Sequence, residues 1–118
     1  MGSLELMKEI IATYELHGWK LRRVLARPET FSLVSQAADL VRDAEIRESD
    51  FDALWFARPS HAGREAWELR LIAEQPFALF EAFEADESEE DRETARHEME
   101  NRMREHANRP KAELPSEG

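Results

Sequence analysis

Glu93, His97 and Glu100 stand at i, i+4 and i+7, a spacing that puts three metal-ligating side chains on one face of a helix. A segment this rich in glutamate generates such triplets by chance, however, and a closed zinc shell needs ligands from a second element. The expectation is a solvated helix face, with no metal and no other cofactor. Asp50 and Asp52 lie two apart beside Trp55. A buried carboxylate pair there would have a raised pKa and could do acid–base work, but alternating acids at the entrance of a strand usually face water. Arg58, Ser60, His61 and Arg64 crowd a turn around Gly63. Two guanidinium groups and a backbone donor could hold an anion there, although no glycine-rich phosphate motif accompanies them. Lys20, Arg22, Arg23 and Arg27 beside Trp19 form the only basic cluster that could track a nucleic-acid strand. Such residues more often form the wet face of a sheet edge.

The remaining nucleophilic and phosphoryl-transfer chemistries lack their usual support. There is no Gly-x-Ser-x-Gly, no P-loop and no His-Glu-x-x-His. Cysteine is absent, which removes thiol nucleophiles, disulfides and cysteine-held metals together and points to a reducing compartment. No residue is nominated as catalytic, and an enzyme is not the expectation. The formal charge of −10 is concentrated late in the chain, where residues 81–106 carry eleven acidic and four basic side chains. That segment repels phosphate backbones and attracts basic surfaces, so nucleic-acid binding is not expected. No window is long and apolar enough for a membrane helix, and the first residues do not resemble an export signal. A cytoplasmic protein without a membrane partner is expected.

The elements that must position these residues follow from periodicity. Leu4, Met7, Ile10, Ile11 and Tyr14 recur at helical spacing, with Ser3 as cap and Gly18 as stop. Trp19–Ala26 alternates as a strand, with Trp19, Leu21 and Leu25 on one face, until Pro28 ends it. Thr30–Asp43 reads as a helix through Phe31, Val34, Ala38 and Val41, although its first residues would also pass as a strand; Glu45–Ser49 reads as a polar joint. Residues 50–84 then form a three-stranded meander: Asp50–Arg58 apolar on both faces, Glu65–Glu74 alternating cleanly, and Phe77–Glu84 as strand with helix as the alternative. Ser88-Glu89-Glu90-Asp91 resembles a capping box for a last helix running to about Ala107, whose apolar stripe of Ala95, Met99 and Met103 is thin. The pairs Glu98–Arg102 and Glu100–Arg104 are expected to support that helix. Two prolines and no apolar period make 108–118 an expected disordered tail after a single domain at 1–107.

These elements predict an α+β fold, an antiparallel sheet of about four strands (meander 50–84 plus strand 19–26) packed with N-terminal, middle and C-terminal helices, mainly on one face. Leu54, Phe56, Ile72 and Phe80 then share a sheet face that the helices do not obviously cover, and form the candidate interaction surface. The functional expectation is an acidic protein-interaction or adaptor module acting as a homodimer. The alternative is a small-molecule binder or enzyme with a pocket between sheet and helices, rimmed by the Arg58–Arg64 turn.

Overall fold

A computed structural model describes residues 2–108; positions 109–118 of the expected tail lie outside the described residues. Helix α1, Ser3–Leu16, buries Met7, Ile10 and Ile11. It begins at Ser3 itself, with Gly2 rather than Ser3 in the cap position. Gly18, at φ +88°, closes it. With that left-handed turn, the Trp19 N–H reaches back to the Tyr14 carbonyl at 3.0 Å and the Gly18 N–H to Glu15 at 3.1 Å, which satisfies carbonyls that a helix end leaves open.

Strand β1, Lys20–Ala26, pairs antiparallel with β3, Ala53–Pro59. Its register jumps between Leu21, opposite Phe56, and Arg23, opposite Trp55, so Arg22 is an extra residue. This β-bulge breaks the two-residue alternation. Leu21 packs with α1 on one face, whereas Leu25 packs on the other, which corrects the expectation that both share a face.

After β1 the chain forms α2, Pro28–Ser35, and a single turn α3, Ala38–Val41, in place of the one helix expected over 30–43. The break comes where the N–H groups of Gln36 and Ala37 fold back three residues, to Leu33 and Val34. Both helices belong to a crossover that delivers β2, Glu45–Glu48, parallel to β1. The expected polar joint is therefore a strand, and the sheet is mixed and five-stranded, in the order β2-β1-β3-β4-β5. Three of the four β2 residues are charged, so periodicity carries no signal there. Strands β4, Glu65–Leu71, and β5, Ala78–Phe83, complete the meander as antiparallel neighbours.

Helix α4, Glu89–Ala107, starts at Ser88, whose hydroxyl accepts from the Asp91 N–H at 3.1 Å. It covers the sheet face opposite α1, α2 and α3, which corrects the expected one-sided packing. Met7, Ile10, Ile11, Val24, Val34, Leu54 and Phe56 form the core beneath α1–α3. Trp55, Trp67, Leu69, Phe83, Met99 and Met103 form the core beneath α4. The thin stripe of α4 suffices because Arg96, 1 % exposed, adds its guanidinium 4.3 Å above the Trp67 ring. Among the described residues no helix is long and apolar enough to cross a membrane.

Candidate functional site

Of the four residues expected to form an interaction surface, Leu54 and Phe56 are fully buried. Tyr14 of α1 stacks on Phe56 with centroids 4.1 Å apart, and Ile72 packs at the margin of the same core. The four residues share a sheet face, but α1 covers its centre, so Leu54, Phe56 and Ile72 belong to the core rather than to a surface. Phe80 alone stays in water, at 57 % exposed, in the middle of edge strand β5.

Among the described residues, what lies around Phe80 is the open quarter of the sheet. Its side chain stands opposite Glu68 of β4, on the α1 side, and its ring meets the edge of Trp19 at 6.4 Å. Arg58 lies 5.4 Å above the Trp19 ring and donates to the His17 carbonyl at 2.8 Å, which fixes the loop after α1 against the sheet. The Tyr14 hydroxyl donates to Glu68. Burial first, then the bond and charge of Glu68, push that hydroxyl above its ordinary pKa, so it remains a donor at any physiological pH. Ala78 and Ala82 flank Phe80 and are exposed, as is Leu16 at 83 %, three residues before Trp19. Composition had signalled the aromatic load; only the packing separates Phe80 from the buried aromatics. Trp19 and Leu16 were not anticipated as surface, since each belongs to a segment with a regular apolar face.

The anion-binding turn does not converge. Arg58 turns toward Trp19, and Arg64 turns to Glu84 at 3.1 Å, while Ser60 and His61 are exposed and use backbone groups to close the turn on Arg64. Ala62 and Gly63 both adopt positive φ there. The turn is a connection whose two guanidinium groups are engaged elsewhere.

The other candidates are structural. Asp52 is 7 % exposed; it accepts from the Arg27 N–H at 2.8 Å, the Thr30 hydroxyl at 2.9 Å and the Arg27 guanidinium at 3.2 Å, and so pins the start of α2. Asp50 pairs with Arg104 at 2.8 Å, and the hydrogen bond from that guanidinium lowers its pKa. The two acids thus serve different partners instead of sharing a proton. On α4, Glu93 takes Arg23 at 2.9 Å and Arg96 at 3.0 Å, and Glu100 accepts from the Trp55 indole at 2.8 Å. His97 is left exposed between two occupied carboxylates. Neither Glu98–Arg102 nor Glu100–Arg104 forms an ion pair: Arg104 serves Asp50 and Glu100 serves Trp55. The basic strip is likewise dispersed. The bulge sends Arg22 and Arg23 together over Trp67, at 5.2 and 5.7 Å, and Arg27 is held by Asp52.

A small recess of about 230 Å³ opens beside Arg27, Asp50, Asp52 and Ala73. It is below the range of roughly 300–1,000 Å³ usual for small-molecule sites. Two clefts along α4, of about 620 and 520 Å³, are larger; Arg23, Glu89, Glu93 and Arg96 in them are paired with one another, beside His97 and Arg22, which form no ion pair among the described residues. No protein-family model matches the sequence, and no curated protein or solved structure matches it.

Proposed function

We propose that this protein is a small acidic interaction module, working as a homodimer through the open quarter of its sheet around Phe80. One observation carries the reading: a large aromatic side chain is held 57 % exposed in the middle of a strand whose other residues are mostly apolar. Scattered exposed apolar residues are ordinary, but here Phe80, Trp19 and the two exposed alanines are contiguous. The groups around them are engaged within the chain, so the surface offers shape and apolar area rather than reactive side chains. Catalysis is not part of the reading, because Asp50, Asp52, Glu93 and Glu100 all hold structural partners. A reducing compartment such as the cytoplasm fits a chain without cysteine.

Sedimentation equilibrium at tens of micromolar is expected to report twice the 13.7 kDa monomer mass. Phe80→Lys, which changes an exposed side chain, is expected to return the monomer with unchanged helix and sheet content. A parent protein that is monomeric at those concentrations would dismiss the reading.

A further inference from the structure

Among the described residues strand β5 has a neighbour on one side only, and its backbone shows which groups the other side presents. The Leu71 N–H donates to the Phe77 carbonyl at 2.9 Å, and the register continues from there, with Arg70 opposite Ala78 and Leu69 opposite Leu79. In an antiparallel ladder, alternate residues turn both polar groups to the same neighbour. Leu79 and Glu81 therefore face β4, whereas Ala78, Phe80 and Ala82 turn N–H and C=O to the free edge. The same three residues place their side chains on the open quarter of the sheet, where Phe80 stands opposite Glu68.

Resting on the reading of this surface as a homodimer contact, we propose that β5 pairs antiparallel with β5 of a second copy, about a two-fold axis at Phe80. The two five-stranded sheets then become one continuous sheet. The sequence of the edge is self-complementary about that axis. Ala78 opposes Ala82 of the partner, Phe80 opposes its own copy, and all three outward residues gain backbone partners. A two-fold contact sets residue i against j and j against i, and the order small, large, small suits that arrangement. Centring the pair on Glu81 instead would set two carboxylates face to face and leave Ala78 unpaired. Glu81 stands opposite Leu79 in the proposed register. β5 also lacks what normally blocks edge pairing: Ala78–Phe83 contains no lysine, proline or bulge.

The chain has no cysteine, so introduced thiols report without background. Opposed residues of such a pair have Cα atoms about 5.5 Å apart, within disulfide range, whereas positions 78 and 82 of one strand are about 13 Å apart. Full-length A78C/A82C is expected to form a covalent dimer on mild oxidation, and mixed A78C and A82C single variants a heterodimer. Neither single variant alone should cross-link. Phe80→Pro, which deletes an N–H not used by β4, is expected to give a monomer with β4–β5 amide protection retained. A parent dimer that persists in Phe80→Pro and does not cross-link would overturn edge pairing while leaving the homodimer reading standing. A parent monomer at tens of micromolar would overturn both. A monomer that becomes a cross-linkable dimer on removal of 109–118 would show the edge held by the chain's own C-terminal segment, which also overturns the proposal for the full chain.

Discussion

The two edges of this sheet are built on opposite principles. β2 is four residues long, three of them charged, and its Arg47 is tied to Glu45 at 2.8 Å. It is added in parallel through a helical crossover and is short enough to offer a second chain little purchase. β5 is six residues long with one charge and, among the described residues, carries Phe80 into solvent beyond the cover of α1. A protein that blunts one edge and leaves the other apolar treats the two surfaces differently, and natural sheets blunt edges that must not associate. The contrast is what supports placing the proposed contact at β5, with no catalytic group involved.

The largest effect is expected on the β2 side, because that edge depends on the crossover pinned by Asp52. Asp52→Ala strands the buried Thr30 hydroxyl and the Arg27 N–H, and should cost about 3 kcal/mol. Urea unfolding measures it, and faster amide exchange in 45–48 should accompany it. A loss under about 1 kcal/mol would mean that the crossover holds itself.

Next comes Phe80→Lys on β5, which should weaken self-association at least tenfold, or about 1.4 kcal/mol, while changing monomer stability by no more than about 0.5 kcal/mol. Equal effects on both would make Phe80 part of the fold and erase the contrast between the edges.

A smaller effect is expected where β1 and β2 meet α4. Burial works to raise the Glu93 carboxyl, but hydrogen bonds from Arg23 and Arg96 outweigh it and hold its pKa below the ordinary value. A group lowered in the folded state stabilises above its unfolded pKa, and that contribution is lost as pH falls through the folded one. Glu93 is half-exposed, so Glu93→Gln should cost about 0.5 kcal/mol at pH 7. The difference from the parent should fade below about pH 4. A difference that grows on acidification would show the wrong sign for this ion-pair cluster.

The smallest effect is that of salt. Two copies each carrying −10 repel, and an apolar edge contact gains nothing from opposite charges, so association should tighten about two- to threefold from 0.05 to 0.5 M salt. Weakening instead would identify ion pairs, and hence a different surface, as the contact.

Much of this was legible along the chain. Leu69 and Trp67 alternate with Glu68 and Arg70, and β4 occupies Glu65–Leu71, starting where the alternation predicts and ending three residues before the expected Glu74. Phe51–Ala57 reads as buried on both faces and is. The capping serine of α4 was named by its residue type. These are local properties, because side-chain periodicity and terminal hydrogen bonds are dictated by the backbone geometry of each element alone. Tertiary contacts decided the rest. An inserted Arg22 moved Leu25 to the opposite face, since a bulge is visible only against the strand it fails to match. β2 became a strand because β1 offered it a free edge, not because Glu45–Glu48 favours one. Arg96 became core once Trp67 and Phe83 gave its guanidinium an aromatic floor and Glu89 and Glu93 gave it counter-charges. With α4 so completed, both sheet faces acquired helical cover, Leu54 and Phe56 went inside, and Phe80 was left out. The sequence by itself determined which residues share a face. Which part of that face stays open depended on where each helix comes to rest, a balance of contacts between segments far apart in the chain that no local pattern encodes.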